Sequence, residues 1–127
     1  MMDTDRLAEL LNANPDFSSS SRFFDGSIQL DFGGEKYWIK VFMGRVILAT
    51  RDIPPFGCTF AISGSREGWE LAVGGTKNRF REAVMTGQLV VEGNQIEFSR
   101  IGRAVHVLSE VLMEMAREGS VGLAKRL

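Results

Sequence analysis

Few side chains in this 127-residue chain have a type and spacing suited to chemistry, and each points away from catalysis. Cys58 is the only cysteine. A nucleophilic thiol needs a base or a cationic setting to become thiolate, whereas Cys58 opens the apolar run Thr59-Phe60-Ala61-Ile62 and reads as a semi-buried, inert thiol. His106 is the only histidine. A general base needs an oriented partner, and a zinc site needs further ligands at short spacing; the sequence around His106 offers neither, so it reads as a helix-flank histidine. Gly74-Gly75-Thr76-Lys77 echoes a phosphate loop but lacks the G-x-x-x-x-G-K-S/T spacing and a preceding strand, and reads as a helix terminus and linker. No catalytic residue, metal site or cofactor is expected, and the chain reads as a binding module rather than an enzyme. Arg79, Arg81, Arg100 and Arg103 are left as a candidate rim for an anionic head group or an anionic membrane surface; the plainer reading is a solvated helix face.

The totals narrow the classes further. Lys plus Arg is 15 against 16 for Asp plus Glu, a formal net charge of −1, which gives no electrostatic reason to expect nucleic acid as a partner. One cysteine allows no internal disulfide and suits a reducing compartment. The N-terminus carries acids early and has no long apolar run, unlike a signal peptide, and no stretch approaches the roughly 20 apolar residues of a membrane span. Ala124-Lys125-Arg126-Leu127 does not match the Ser-Lys-Leu address. A cytoplasmic location is the default, and the length suits one domain.

The elements that must position these residues follow from periodicity and caps. Asp3 or Thr4 caps a helix over 4–13 with Leu7, Leu10 and Leu11 on one face, and Asn14-Pro15 stops it before a polar loop at Ser18 to Ser21. Ile28, Leu30 and Phe32 alternate with Gln29 and Asp31 as in a half-buried strand. Gly33-Gly34 and Met43-Gly44 then join strands over 37–42 and 45–50. Pro54-Pro55 interrupts the ladder before a fourth strand at Phe60 and Ile62. Ser65 caps a helix running to Val73, and Asn78 caps a second with Phe80, Val84 and Met85 along one side. Leu89 to Glu92 is a fifth strand. After Gly93-Asn94 either a hairpin or a helix fits; Phe98, Ile101, Val105, Leu108, Leu112 and Met115 recur at helical spacing, and Asn94 with Glu97 has the form of a capping box, so the spacing favours one long helix to about Arg117. Gly102 weakens it. The expected architecture is an α+β two-layer sandwich: a five-stranded, mostly antiparallel sheet, its last strand joining in parallel, covered on one face by helices. The core is expected over about 22–117, with a loose tail at 119–127.

The order and spacing of these pieces resemble the sterol carrier protein type 2 family. The resemblance is carried by Cys58-Thr59-Phe60-Ala61-Ile62, Ser65 to Trp69, Gly74-Gly75, Ala83 to Met85 and Gly87-Gln88-Leu89-Val90-Val91-Glu92-Gly93-Asn94, preceded by Tyr37-Trp38-Ile39-Lys40-Val41 and Met43-Gly44-Arg45. Together they cover most of residues 26–105. The chain departs from that pattern at Thr59 and Gly68, where acids are common, at Gln88 in place of lysine, in lacking a proline near Asn78, and in a longer C-terminal helix.

The resemblance implies an apolar cavity between sheet and helices that holds a sterol, fatty acid, acyl-CoA or similar lipid, without catalysis. Its expected lining is Phe60, Ile62, Trp69, Val73, Phe80, Val84, Met85, Phe98, Ile101, Val105 and Leu108, with the helix after Asn94 as a cover. The six methionines favour an adaptable wall. Two rival readings stand beside this one. The same residues can fill a solid core, leaving an interaction or dimerisation module whose contact is the flank Val107, Val111 and Met113; or the domain presents lipid to a partner enzyme. Transient membrane contact and a homodimer are compatible with the first reading.

Overall fold

Capping side chains set the helix starts. In the computed structural model, which describes residues 2–123, Asp3 accepts from the Arg6 N–H and opens α1 (Thr4–Ala13), burying Leu7 and Leu11. Asn14-Pro15 does more than stop α1. The Asn14 carboxamide oxygen accepts from the Asp16 and Phe17 N–H groups, and Pro15, with no N–H to satisfy, begins α2 (Pro15–Ser20). Much of the expected serine loop is therefore helical: Phe17 is buried, and the Ser20 and Ser21 hydroxyls donate back to carbonyls of the same turn.

The strands are β1 (Asp25–Phe32), β2 (Glu35–Phe42), β3 (Arg45–Thr50), β4 (Phe60–Gly64) and β5 (Leu89–Gly93), in the sheet order β3-β2-β1-β4-β5. Gly33 and Gly34, both at positive φ, make the first hairpin turn. β1 pairs antiparallel with β2, β2 with β3 and β4 with β5. The one parallel pair is β1 with β4, Ile28 opposite Phe60 and Leu30 opposite Ile62. The last strand thus joins antiparallel, contrary to expectation, because β4 has already crossed to the far edge of β1 through the loop 51–59, and two short helices turn the chain straight back along β4.

One sheet face is apolar and buried: Ile28, Leu30, Phe32, Tyr37, Ile39, Val41, Phe60 and Ile62 all point into the helices. α3 (Arg66–Val73) begins where Ser65 accepts from the Gly68 N–H. Trp69 on α3 is fully buried, its Nε1 donating to the Asp31 carbonyl at 2.7 Å and its ring edge-on to Phe32 at 4.6 Å. Gly68 is required here: a Cβ would sit 2.9 Å from the Gln88 carbonyl oxygen, so the acidic side chain of the resembling pattern has no room. Asn78, one residue before the formal cap, accepts from the Phe80 N–H and starts α4 (Phe80–Met85).

The long helix expected after Asn94 is two: α5 (Gln95–Arg100) and α6 (Gly102–Glu118), broken at Ile101. Asn94 caps α5 through the Glu97 N–H, but the reciprocal half of the box is absent. The Asn94 N–H is spent on the Thr59 carbonyl, which fixes α5 to β4, and the Glu97 carboxylate pairs with Arg100. With α5 so anchored, the chain bends at Ile101 (φ −108°, ψ 29°), which buries that side chain and frees α6 to lie against the other helices. Val107, Val111 and Met113 are buried there, so the flank offered for dimerisation faces inward.

The core also extends past its expected limits. Met2, Leu7, Leu11 and Phe17 belong to it, as do Val121 and Leu123 beyond α6. Residues 119–123 are thus no loose tail: Arg66 donates to the Gly122 carbonyl, and Ser120 accepts at its carbonyl from the Asp3 N–H. The rest of that tail, 124–127, lies outside the described residues.

Candidate functional site

α4, α5 and α6 do not close over one another completely. Between them lies a cleft of about 370 Å³, within the usual range of ligand pockets. Phe80 and Val84 on α4, Phe98 on α5 and Val105 on α6 give it apolar walls, and Met85 stands at its lip, 78% exposed. Phe98 meets Phe60 edge-on at 5.4 Å, so the wall rests on the β4 core.

The remaining expected lining residues are not in the cleft. Phe60, Ile62, Trp69, Val73, Ile101 and Leu108 are buried and belong to the packed core cluster. Phe60 and Ile62 lie on β4, Trp69 and Val73 on α3, and Ile101 and Leu108 at the start of and along α6, all within the core cluster rather than the cleft. Met85 reads as an inward residue beside Val84, but a six-residue helix turns it outward and Ala83 takes the buried position.

Two wall residues escaped the sequence reading, Gly102 and His106. Gly102 stands three residues before Val105 and four before His106, which places all three on one side of α6, and that was the available signal. His106 Nε2 is 3.1 Å from the Glu110 carboxylate, one turn along α6. Of the four rim arginines, Arg79 pairs with Glu82 at 3.3 Å, Arg100 with Glu97 at 2.7 Å and Arg103 with Asp16 at 2.5 Å. Only Arg81 lines the cleft, and it has no carboxylate partner among the described residues. The cleft therefore joins an apolar interior to one unneutralised guanidinium at its mouth, a pairing suited to an amphiphile with a polar or anionic end.

Two wider depressions lie elsewhere. One, of about 650 Å³, is polar and lined by Lys36, Arg51 and Asp52 among others. The other, of about 690 Å³, crosses the sheet face away from the helices, where Trp38 donates to the Gly57 carbonyl and meets Phe56 edge-on at 6.0 Å. Cys58 lies on that second groove, and burial pushes its thiol pKa up, away from thiolate. Among the described residues no three His, Cys, Asp or Glu side chains come together as a metal site, and no helix is long and apolar enough to cross a membrane.

No protein-family model matches the chain, and no curated protein matches it in sequence. Solved structures do match in shape. A crystal structure of sterol carrier protein 2 superposes with a TM-score of 0.73 at 15% identity, covering 87% of this chain and 93% of that one. The UbiJ-SCP2 ubiquinone synthesis protein matches with a TM-score of 0.60 at 11% identity over 85% and 90% of the two chains. The apo form of sterol carrier protein 2 from Yarrowia lipolytica matches with a TM-score of 0.53 at 16% identity over 85% and 87%. At these identities the likeness is one of architecture, and by it this α+β chain has the fold of sterol carrier protein 2.

Proposed function

We propose that the protein is a non-catalytic carrier of a hydrophobic ligand, a fatty acid, acyl-CoA, sterol or similar lipid, held with its apolar part in the cleft between α4, α5 and α6. The observation that carries this reading is the cleft itself: apolar walls from Phe80, Val84, Phe98 and Val105, with the unpaired Arg81 at its mouth. The likeness of fold to sterol carrier protein 2 supports it. Each methylene withdrawn from water contributes about 0.8 kcal/mol, so an alkyl chain needs no covalent chemistry to be retained. The remaining expected residues, Phe60, Ile62, Trp69, Val73, Ile101 and Leu108, act beneath the cleft by fixing the wall helices in place. Arg79, Arg100 and Arg103, each already paired, contribute less to head-group binding than Arg81.

A polyene fatty acid that fluoresces in apolar surroundings tests this directly. Titration should give a saturable one-to-one rise, and Val84→Glu, which puts a charge on the wall, should abolish it. A non-saturable response, or the same curve from the Val84→Glu variant, would refute the cleft as the site.

A further inference from the structure

The apolar side chains left most exposed on the helical side lie close to one another. Met85 is 78% exposed, Ile96 74% and Phe23 72%. α5 connects them, because it is the wall between two openings. Its Phe98 faces the cleft, whose far lip carries Arg81 and Met85. Its Glu97 and Arg100 face a notch of about 100 Å³ whose far lip carries Arg22 and Phe23. Ile96 stands four residues before Arg100, on the same side of α5. One swath therefore runs from α4 across α5 to the turn after α2.

Its charge differs from that of the whole chain. Three of the acids along it, Asp16, Glu82 and Glu97, are each taken by an arginine, Arg103, Arg79 and Arg100, and Glu110 lies 3.1 Å from His106 Nε2. Arg81 and Arg22 are left over, the Arg22 guanidinium lying 4.7 Å from the Phe23 ring centroid rather than on a carboxylate. The net charge of the protein is −1, yet two arginines without a carboxylate partner, Arg81 at the cleft and Arg22 at the notch, stand on this swath beside Met85, Ile96 and Phe23.

Protruding apolar groups with flanking free arginines complement a bilayer that carries anionic lipid. We infer that this face docks on anionic membranes, with Phe23, Met85 and Ile96 entering the headgroup boundary and Arg22 and Arg81 meeting lipid phosphates and carboxylates. Docking this way presents the cleft mouth to the bilayer, so an alkyl chain passes between them with little exposure to water. The inference rests on the lipid-carrier reading for its purpose but not for its geometry. The opposite sheet face also exposes an aromatic residue, Phe56 at 80%, but the lysine in that groove, Lys40, is neutralised by Asp25 at 2.6 Å.

Flotation of the full chain with vesicles of phosphatidylcholine, alone or mixed with phosphatidylserine, decides the matter. Binding should require phosphatidylserine and weaken as salt is raised. The double variant Phe23→Ser/Ile96→Ser should bind about tenfold more weakly or worse, whereas Phe56→Ser should bind as the wild type does. Binding that ignores phosphatidylserine, no binding at all, or loss through Phe56→Ser instead of the double variant would overturn it. Ligand uptake measured without vesicles separates the two claims: it should be unchanged in the double variant, and its failure in wild-type protein that still floats would remove the carrier reading and leave docking standing.

Discussion

Gly102 offers a way to block the cleft without harming the fold. It lines the cleft, and a Cβ built on it meets nothing within 4 Å. It lies in the first turn of α6 at ordinary φ, so a side chain costs no strain and removes the glycine penalty of about 0.5 kcal/mol or more. A side chain there leans toward the preceding turn and hence toward Phe98 across the cleft. In Gly102→Leu, the isobutyl group displaces about three methylenes of ligand at about 0.8 kcal/mol each, about 2.4 kcal/mol in all or roughly a fiftyfold loss of affinity. Thermal unfolding of the same variant should show a midpoint equal to or about 2 °C above that of the wild type. The signs are opposed, tighter folding with weaker binding, and general damage cannot produce that pattern. Fluorescent fatty-acid titration beside a melting curve reads both. Affinity within about threefold of wild type would mean the ligand does not occupy this cleft, and a lowered midpoint would mean the space at Gly102 is not open.

Three further outcomes test the scaffold. Trp69→Phe should lower stability by about 1–3 kcal/mol in urea unfolding, because it strands the Asp31 carbonyl that Trp69 Nε1 serves at 2.7 Å; an unchanged midpoint would refute that bond. Arg6 reaches from α1 to Glu118 at the end of α6 and holds its carboxylate down to about 2. The folded value lies below the ordinary one, so this contribution is complete above about pH 4.5 and is lost as pH falls toward 2; Arg6→Gln should flatten the acid limb of the stability curve in that window, and an unaltered limb would contradict it. The Asn12 side chain pairs with both the N–H and the carbonyl of Val46 on the edge strand β3, so Asn12→Ala should destabilise by about 1–3 kcal/mol and raise light scattering as that edge opens, while a stable, non-associating variant would count against it.

Local chemistry was the legible part of the sequence. Asp3, Ser65 and Asn94 cap where short polar side chains ahead of apolar runs indicate, and the glycine turns place β1, β2 and β3. The failures are non-local. Nothing near Asn94 shows that its N–H belongs to Thr59, and that bond is what anchors α5 apart from α6. The parallel pairing of β1 with β4 depends on a crossing that the loop 51–59 permits but does not encode. Asn14-Pro15 has the chemistry of both a stop and a start, and only the burial of Phe17 decides for the start. For the site, the apolar stripe named five of the cleft residues, Phe80, Val84, Met85, Phe98 and Val105. It named six core residues with equal force, because a stripe records which face is apolar and not whether that face is filled.

The central claim is that lipid sits between α4, α5 and α6, and a photoactivatable fatty acid reports on it most directly. After irradiation of the saturated complex and proteolysis, the label is expected on peptides carrying Phe80 to Met85 and Phe98 to His106. Label confined to the Trp38 and Phe56 peptides of the opposite sheet face, or spread without preference, would contradict it.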